Sequence, residues 1–255
     1  MNIASFSGGK DSAATVILAH IHNIKIDEII FSEVMFDKGI SGELPEHIDF
    51  VKNTAFPLFE KWGYKTKILH SEFTYMDCFN HVLTKSAVPE RNGKRAGFPM
   101  GGKCGINKMC KIRPIKQYLK TAENLCQFIG IAIDEPERLK RLDKKTQRSL
   151  LAEYGYTEEM ALELAKEYGL LSPIYNFAKR GGGCWFCMNA VEGELKHLRS
   201  NHRELWERLI DLENEKDIVG DVWDTRKRRS IKEIEEKMFW EEQQMTIFDY
   251  LEKET

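Results

Sequence analysis

The first 135 residues alternate between short apolar runs and stretches in which apolar residues recur at helical spacing. Residues 1–6 form an apolar run that stops at a glycine pair, and residues 12–22 have the spacing of a helix that begins directly after it. The other predicted elements here are strands over 28–36, 65–69 and 125–133 and helices over 50–63 and 115–123. Alternating strands and helices are typical of a parallel sheet. We therefore predict an α/β fold with an open, mostly parallel twisted sheet and flanking helices.

Beyond residue 134 the pattern becomes helical, with predicted helices over 157–168, 203–215 and 231–243. Residues 181–187 read Gly-Gly-Gly-Cys-Trp-Phe-Cys and fit neither a helix nor a strand, and such loops usually carry a function. We predict three parts of the chain: an α/β domain over 1–150, a C-terminal helical appendage over 151–243 that carries this cysteine loop, and a C-terminal tail over 244–255.

The chain of 255 residues is 42% hydrophobic, which is enough to bury a core. No apolar run approaches the roughly 18 residues of a membrane-spanning helix, and the N-terminal residues lack a charged-then-apolar signal segment. We therefore expect a soluble, cytoplasmic protein without a membrane partner. The net charge of −2 excludes a globally cationic protein that binds polyanions through its overall charge.

Positive charge is nevertheless concentrated in one stretch of the chain. Residues 85–120 contain ten lysines and arginines against one acidic residue, Glu90. A second basic group follows at residues 226–229. Together these groups resemble the footprint of a nucleic-acid-binding surface, so nucleic acid is an expected partner.

A glycine-containing hexapeptide lies between the first predicted strand and the first predicted helix. At such a junction, backbone N–H groups and the positive end of the helix converge on an anion, and glycines let the chain approach a phosphate closely. The spacing of a Walker P-loop and the Gly-x-Gly-x-x-Gly of dinucleotide-binding proteins are both absent. The candidate phosphate loop consists of Ser7, Gly8, Gly9, Lys10, Asp11 and Ser12.

This loop resembles the Ser-Gly-Gly-x-Asp-Ser loop (PP-loop) of N-type ATP pyrophosphatases, which release pyrophosphate from ATP while they adenylate an acceptor. Later segments resemble, in order and spacing, successive blocks of the phosphoadenosine phosphosulfate reductase-like superfamily; they are Cys104 followed by 111–115, then 130–135, 172–175 and 181–187. Ala132 and Pro136 depart from the family pattern, in which arginine and serine flank an Ala-Asp-Glu block.

Within this superfamily, the sequence is more similar to the branch of DNA phosphorothioation sulfurtransferases and phage-borne proteins than to true sulfonucleotide reductases. The loop keeps the full ATP pyrophosphatase form, from which the reductases depart. The reductase segment Glu-Cys-Gly-x-His, with its nucleophilic cysteine, does not follow Cys187, the last cysteine of the sequence.

The resemblance implies an adenine nucleotide alpha hydrolase-like fold that uses ATP and Mg²⁺. The serines and glycines of the loop would donate hydrogen bonds to the pyrophosphate moiety, Lys10 would add positive charge, and Asp11 would orient Mg²⁺. Lys111 and Arg138 are expected to face the crevice at the carboxyl ends of the strands, where ATP would be their partner. The predicted catalytic residues are Asp11, Lys10 and Lys111. The predicted nucleotide-binding residues are Ser7, Gly8, Gly9, Lys10, Asp11, Ser12 and Arg138.

Six cysteines are too few and too unevenly spaced for a disulfide scaffold, which favours a metal or redox role. Cys184 and Cys187 form a chelating pair on the glycine loop, and Cys104 and Cys110 form a second, looser pair. Four thiolates suit either a structural zinc ion or an iron–sulfur cluster. The family resemblance favours a 4Fe-4S cluster, with zinc as the alternative. Cys126 lies in an apolar strand and Cys78 in an amphipathic segment, and both are predicted to be packing residues.

These features predict an ATP-dependent sulfurtransferase-like enzyme that forms AMP and pyrophosphate. Its acceptor, a nucleic acid or a small metabolite, would be adenylated and then attacked by sulfur held near the four cysteines, and a cysteine desulfurase is an expected sulfur donor. Two alternatives stay open. One is a sulfonucleotide reductase-type oxidoreductase, and the other is a non-catalytic, zinc-stabilised module that binds nucleic acid.

The C-terminal tail resembles the Gln-Leu-x-Leu-Phe peptide by which replication and repair proteins bind the bacterial sliding clamp. The matching residues are Gln244, Met245, Ile247 and Phe248. An extended tail with a glutamine and a closely spaced aliphatic–aromatic pair can dock in a preformed apolar pocket. The alternative is that these apolar residues fold back on the core as a last helical turn.

Two polar residues follow the second predicted strand and are within reach of a substrate in that crevice. They are Asp37 and His47, and we interpret each as a capping or solvated loop residue. Tryptophans at helical spacing with apolar neighbours are predicted to be core residues: Trp62, Trp206, Trp223 and Trp240.

Overall fold

The computed structural model of the protein describes residues 1–100, 104–178, 183–225 and 227–253, with the backbone alone at 245–253. Contacts between residues divide the chain into two compact units. The first unit comprises Met1–Tyr75 and Ile106–Cys184, and the second comprises Met76–Gly105 and Trp185–Thr255. The predicted domain boundary at residue 150 therefore falls inside the first unit, because apolar side chains between Leu151 and Leu170 pack into its core.

The strands of the described residues are β1 (Asn2–Phe6), β2 (Glu28–Glu33), β3 (Lys65–His70), β4 (Arg95–Gly97), β5 (Cys126–Ile129), β6 (Gln147–Arg148) and β7 (Ile218–Gly220). In the first unit, five of them form a parallel sheet in the order β3-β2-β1-β5-β6. The predicted α/β fold with a mostly parallel sheet is therefore confirmed.

The α-helices are α1 (Lys10–Ile21), α2 (Pro45–Phe50), α3 (Phe56–Lys61), α4 (Tyr75–Phe79), α5 (Arg113–Leu119), α6 (Pro136–Leu139), α7 (Leu150–Glu153), α8 (Glu158–Glu167), α9 (Glu192–Asn201), α10 (Arg203–Asn214) and α11 (Ile231–Lys253). A 3₁₀ turn spans Pro173–Asn176. Two π-helical turns, Val51–Ala55 and Asn107–Ile112, adjoin α3 and α5. Turns of this kind are rare and occur frequently at functional sites.

Helices cover both faces of the sheet in the first unit. On one face, α1 and α8 pack with the strand residues Phe6, Phe31 and Phe128 in one apolar cluster. Helix α1 buries eight consecutive residues, Ser12 through Ala19, because it lies between the sheet and helices α7 and α8. On the other face, side chains of α5 cover a smaller apolar cluster. The result is a three-layer α/β/α arrangement.

The carboxyl ends of β1 and β5 lie side by side in this sheet. Strand β1 pairs with β2 on one side, and its other neighbour, β5, comes from much later in the chain. In open parallel sheets, ligands bind outside the carboxyl ends of the strands where the order of connection reverses. The phosphate loop, which follows Phe6 directly, therefore lies at the position where this fold class binds its ligands.

Strand β2 is shorter than the sequence predicts and ends at Glu33. Beyond it, the Asp37 carboxylate accepts hydrogen bonds from the N–H groups of Gly39 (2.8 Å) and Ile40 (2.7 Å). The N–H group of Gly42 donates to the carbonyl of Val34 at 2.7 Å. These bonds fold the chain into a turn, which confirms that Asp37 is a capping loop residue.

The second unit contains a two-stranded parallel sheet of β4 and β7 and helices α9, α10 and α11. Trp206 and Trp223 are fully buried there, as predicted, whereas Trp240 is 63% exposed, so its predicted core position is wrong. The indole N–H of Trp206 donates to Glu235 at 2.5 Å, and the same carboxylate pairs with Arg199.

Helix α11 continues to Lys253, about ten residues beyond the predicted end at 243. Residues 244–253, which the sequence assigned to a tail, therefore have a helical backbone. The side chains of Met245, Ile247 and Phe248 lie outside the described residues, so clamp binding stays a prediction. Among the described helices, none combines the length and the hydropathy required to cross a membrane.

Candidate functional site

The phosphate loop connects β1 to α1 and is held in shape by two hydroxyl groups. The Ser12 hydroxyl donates to the carbonyl of Gly9 at 2.8 Å and accepts from the N–H group of Ser7 at 3.1 Å. The hydroxyl oxygens of Ser7 and Ser12 are 3.2 Å apart. Gly8 has a φ of +75°, which favours glycine. The first N–H groups of a helix have no partners within it and are suited to an anion. Here the first of them, that of Lys10, donates to the Tyr175 hydroxyl.

Three carboxylates converge beside this loop. Oxygen atoms of Asp11, Glu135 and Glu158 lie within 4.8 Å of one another. The Lys10 ammonium is 2.7 Å from Asp11 and 3.0 Å from Glu158. Carboxylate oxygens are the ligands that Mg²⁺ prefers, so the chemistry of this donor set fits the predicted ion.

The carboxylates and Lys10 shift one another's pKa values. Burial raises the pKa of Asp11 and is the largest effect on it, against the opposing hydrogen bond and charge of Lys10. The negative charges of Glu158 and Glu135 add smaller upward shifts. Burial lowers the pKa of Lys10, but its hydrogen bonds to Asp11 and Glu158 outweigh burial, so the pKa is raised. Lys10 is therefore a firmly protonated cation at the start of α1.

The segment after β5 lies directly against the loop. A Cβ atom at Gly130 would lie 2.6 Å from the Asp11 carbonyl carbon and 2.7 Å from the Ser12 nitrogen. Only glycine permits this approach of two backbones. Farther along, Glu135 accepts from the N–H group of Ala132 at 3.2 Å, which aims its carboxylate toward the three-carboxylate group.

The 3₁₀ turn at Pro173–Asn176 braces the loop from another side. The Tyr175 hydroxyl accepts from the N–H group of Lys10 at 3.0 Å, and burial raises the pKa of this tyrosine. One residue before the turn, Ser172 is buried, with its hydroxyl 3.0 Å from Nδ1 of His47. The predicted block at 172–175 therefore contacts the phosphate loop both directly and through a histidine.

His47 is buried on α2, so its interpretation as a capping or solvated residue is wrong. Its Nε2 lies 3.0 Å from the carbonyl oxygen of Ser7. Burial lowers the pKa of His47, and the positive charge of Lys111 acts in the same direction, against the opposing charge of Glu43. The ring is therefore neutral at pH 7.

Glu43 is a second buried polar residue that the sequence did not single out. It is 1% exposed, and its Oε1 accepts from the N–H group of Val34 at 3.4 Å. Among the described residues, Oε2 of Glu43 has no hydrogen-bond partner. The backbone of Glu43 pairs with Cys184 in an isolated antiparallel bridge, and the N–H group of Leu44 donates to Gly183 at 2.5 Å. Gly183 and Cys184 are thus attached to the start of α2.

The predicted basic ligands have defined contacts. The carbonyl of Lys111, in the second π-helical turn, accepts from the Ser32 hydroxyl at 3.2 Å, and its charge acts on His47. Arg138 is half exposed and pairs with Glu135, so it lies beside the three-carboxylate group. Nucleotide binding by Arg138 and catalysis by Lys111 stay predictions.

The predicted metal ligands differ in burial and in the unit to which they belong. Cys110 is buried and Cys184 is half-buried, and both belong to the first unit. Cys104 is exposed and Cys187 is half-buried, and both belong to the second unit. The neighbouring residues 101–103 and 179–182 lie outside the described residues. Four thiolates remain a donor set that suits zinc or an iron–sulfur cluster.

Some of the lysines and arginines in the predicted basic stretches form ion pairs with acidic side chains, which partly neutralise their charge. In the second unit, Arg95 pairs with Glu215 at 2.8 Å, Arg228 with Asp221 at 3.2 Å and Arg229 with Asp224 at 3.0 Å. Lys85, Arg91 and Lys94 are exposed. Lys103 and Arg226 lie outside the described residues.

Together, the fold and the loop define an α/β protein with a glycine-containing strand-to-helix loop at the carboxyl edge of a parallel sheet. No family model matches the chain. An uncharacterised protein of Methanocaldococcus jannaschii is 25% identical over 217 residues, which cover 82% of this chain and 46% of the relative. The chain thus spans about half the length of that curated relative.

A search of solved structures finds the U34-tRNA thiolase NcsA from Methanococcus maripaludis, solved with its 4Fe-4S cluster. The two chains share 18% identity with a TM-score of 0.39, and the match covers 87% of this chain and 67% of the thiolase.

Proposed function

We propose that the protein is an ATP-dependent enzyme that forms AMP and pyrophosphate and transfers sulfur to the acceptor that it adenylates. The observation that carries this proposal is the phosphate loop itself. Its glycines and the first turn of α1 present N–H groups at the carboxyl edge of the sheet, next to Lys10 and the three carboxylates. This combination suits a polyphosphate with its divalent cation.

In the proposed first step, an oxygen of the acceptor attacks the α-phosphorus of ATP and pyrophosphate leaves. The backbone of the loop and the Lys10 ammonium would hold the negative charge of the leaving pyrophosphate. Asp11, Glu135 and Glu158 would hold Mg²⁺, which when bound neutralises phosphate charge. Catalysis would then consist mainly of positioning and electrostatic stabilisation.

In the proposed second step, a hydrosulfide ion displaces AMP from the adenylated acceptor. The new bond to sulfur forms as the bond to the acceptor's former oxygen breaks, and that oxygen and the proton leave with AMP. A cysteine desulfurase would supply the sulfur as a persulfide, and a thiol would reduce this persulfide to hydrosulfide and become a disulfide in the exchange. The attachment of Gly183 and Cys184 to α2, whose His47 contacts the phosphate loop, supports a sulfur site close to the nucleotide.

The proposal includes a metal site that four cysteine thiolates would form. Cys104, Cys110, Cys184 and Cys187 would hold a 4Fe-4S cluster, with zinc as the alternative occupant. The acceptor proposed is a nucleic acid, supported by exposed cations in the second unit such as Lys85, Arg91 and Lys94.

The test is to follow AMP and pyrophosphate formation from ATP with Mg²⁺, using protein purified without oxygen. The candidate acceptors are total transfer RNA and duplex DNA, and a reaction without acceptor is the control. We expect acceptor-dependent formation of AMP and pyrophosphate in equal amounts, and loss of both in Asp11→Asn. Absence of AMP with every acceptor would contradict the proposal and favour a binding module. Thiol-dependent release of sulfite from a sulfonucleotide would favour a reductase instead.

A further inference from the structure

One imidazole ring lies between the phosphate loop and the cysteine loop. A Cβ atom at Gly8 would lie 2.6 Å from Nε2 of His47. A Cβ atom at Gly183 would lie closest to Oε2 of Glu43 and 2.7 Å from Cδ2 of the His47 ring. These distances are too short for any real Cβ atom, so two glycines from two distant parts of the sequence pack directly against His47. The ring, together with the Glu43 carboxylate at Gly183, therefore limits how closely Gly8 and Gly183 approach each other.

Hydrogen bonds fix the orientation of this ring. The Ser7 carbonyl can only accept, so Nε2 of His47, at 3.0 Å, must carry the hydrogen. In the neutral ring Nδ1 is then an acceptor, and the Ser172 hydroxyl donates to it at 3.0 Å. With both nitrogens engaged and 1% of its surface exposed, His47 is held in one position.

The same helix end is attached to the cysteine loop through its backbone. The Leu44 N–H group donates to the Gly183 carbonyl, and Glu43 pairs with Cys184. A displacement of Gly183 would therefore move α2 or press on His47. A displacement of His47 would in turn move the Ser7 carbonyl at the start of the phosphate loop.

We propose that His47 is a positioning residue that couples occupancy of the phosphate loop to the conformation of the Gly183–Cys184 backbone. This inference rests on the proposed function, because it assumes that the loop binds ATP. When phosphates order the loop, the Ser7–His47–Ser172 hydrogen bonds hold the ring against Gly183. Coupling of this kind is reciprocal, so a change at Gly183 also changes the affinity for ATP.

The experiment measures backbone hydrogen exchange in peptides that contain Gly183 and Cys184, with and without saturating ATP and Mg²⁺. Hydrogen exchange does not require free thiols, so the protein is used with its native metal content. In the wild type we expect ATP to slow this exchange about 5-fold or more. In His47→Ala we expect ATP to have no effect there, together with weaker ATP binding by calorimetry.

Two conservative variants separate positioning from general stability. A glutamine amide places its nitrogen near the position of Nε2, so His47→Gln keeps the bond to Ser7 and is expected to retain the effect of ATP. His47→Asn reaches only the Ser172 side and is expected to lose it. Phe50→Leu is the matched control, because Phe50 is a buried core residue of the same helix and supplies none of the atoms nearest to a Cβ atom at either loop glycine. It should lower stability and preserve the effect of ATP.

The reciprocal measurement is the affinity of Gly183→Ala for ATP, which we expect to fall about 5-fold or more although the residue is outside the phosphate loop. The proposal is overturned if His47→Ala keeps the wild-type response, if the Gln and Asn variants behave alike, or if ATP binds to the wild type without slowing exchange. ATP-dependent slowing without AMP formation would contradict the proposed function alone. AMP formation without slowing would contradict the coupling alone, and failure to bind ATP would contradict both.

Discussion

At the scale of single residues, the same side chains that shape the phosphate loop also limit which substitutions are informative. The Ser12 hydroxyl is committed to Gly9 and Ser7, so its removal changes the loop conformation as well as any contact with a ligand. The Asp11 carboxylate instead faces other carboxylates and Lys10. A substitution at Asp11 therefore separates an effect on catalysis from an effect on folding better than a substitution at Ser12 does.

Asp11→Asn is expected to abolish turnover without destabilising the fold. The pKa of Asp11 is raised, so its ionised form costs stability, and this cost grows as pH rises from the unfolded-state pKa through the folded-state pKa. Asparagine removes the charge. At pH 7 we expect pyrophosphate release to fall at least about 100-fold, while the free energy of unfolding stays equal or rises by up to about 1 kcal/mol. Urea unfolding and a pyrophosphate assay measure both, and a marked loss of stability would contradict this view of Asp11.

Glu33, at the end of β2, is expected to behave in the opposite way. Burial acts to raise its pKa, but hydrogen bonds from Ser41, His70 and Lys52 outweigh burial, and the pKa is lowered. A lowered carboxyl pKa stabilises the fold above the unfolded-state pKa, and that contribution is lost as pH falls through the folded-state pKa. Glu33→Gln should therefore cost about 1–3 kcal/mol at pH 7.

The difference between wild type and Glu33→Gln should shrink as pH falls from the unfolded-state pKa of about 4.3 through the lower folded-state pKa of Glu33, because protonation then removes the charge of the glutamate. Urea unfolding at a series of pH values measures this trend. Glu137→Gln is the matched control, since Glu137 is 72% exposed and should change stability little at any pH. A cost that does not depend on pH would show that shape, not charge, matters at Glu33.

At the scale of elements, the close approach of β5 to the start of α1 fixes the geometry of the loop. Gly130 follows β5 directly, and a Cβ atom there would overlap the backbone at Asp11. Backbone cannot move aside as a flexible side chain can. Neighbouring strands that end together therefore place the loop, whatever its own conformational preference.

Gly130→Ala is expected to weaken ATP binding at least about 10-fold and to lower the free energy of unfolding by about 1–3 kcal/mol. Calorimetry and urea unfolding measure the two effects. Gly105→Ala is the matched control, because a Cβ atom at Gly105 would meet nothing within 4 Å. Wild-type affinity in Gly130→Ala would mean that the loop does not depend on contact with β5.

At the scale of the whole molecule, the predicted metal ligands come from two distant segments of the chain, each of which supplies a pair of cysteines. Cys184→Ser and Cys104→Ser are each expected to lower the bound iron or zinc per chain to less than about half. Cys126→Ser is the control, because Cys126 lies in β5 and packs against the main core. This variant protein should keep its bound metal, and its free energy of unfolding should fall by about 1 kcal/mol. Metal analysis of anaerobically purified protein decides, and equal loss from Cys126→Ser would contradict the four-ligand assignment.

The C-terminal residues provide a separate test of association with DNA metabolism. A peptide covering residues 243–255 is expected to bind a purified sliding clamp with modest, micromolar affinity through Gln244 and the apolar residues that follow it. Because the backbone is helical up to Lys253, binding would require this helix end to unwind. Fluorescence anisotropy measures the affinity, with Gln244→Ala as the control. No association at high micromolar concentration would contradict the prediction.

The sequence by itself determined the elements whose signals are local. The apolar run before the glycines became β1, the glycines began α1, and Thr157 caps α8 by accepting from the Met160 N–H group at 3.2 Å. Local signals suffice there because strand burial, glycine turns and helix caps depend on residues only a few positions apart. The phosphate loop was found for the same reason.

Only the tertiary structure decided which polar residues surround that loop. Glu135 and Tyr175 lie in segments that the family resemblance singled out, but their contacts with the loop appear only in the fold. Glu158 and His47 are far from residues 7–12 in sequence, and nothing near them in the chain marks them as partners. His47 read as an ordinary loop histidine, because burial depends on what packs around a residue and not on its neighbours in sequence. Its contacts with Gly8 and Gly183 exist only because a parallel sheet brings distant loops to one edge.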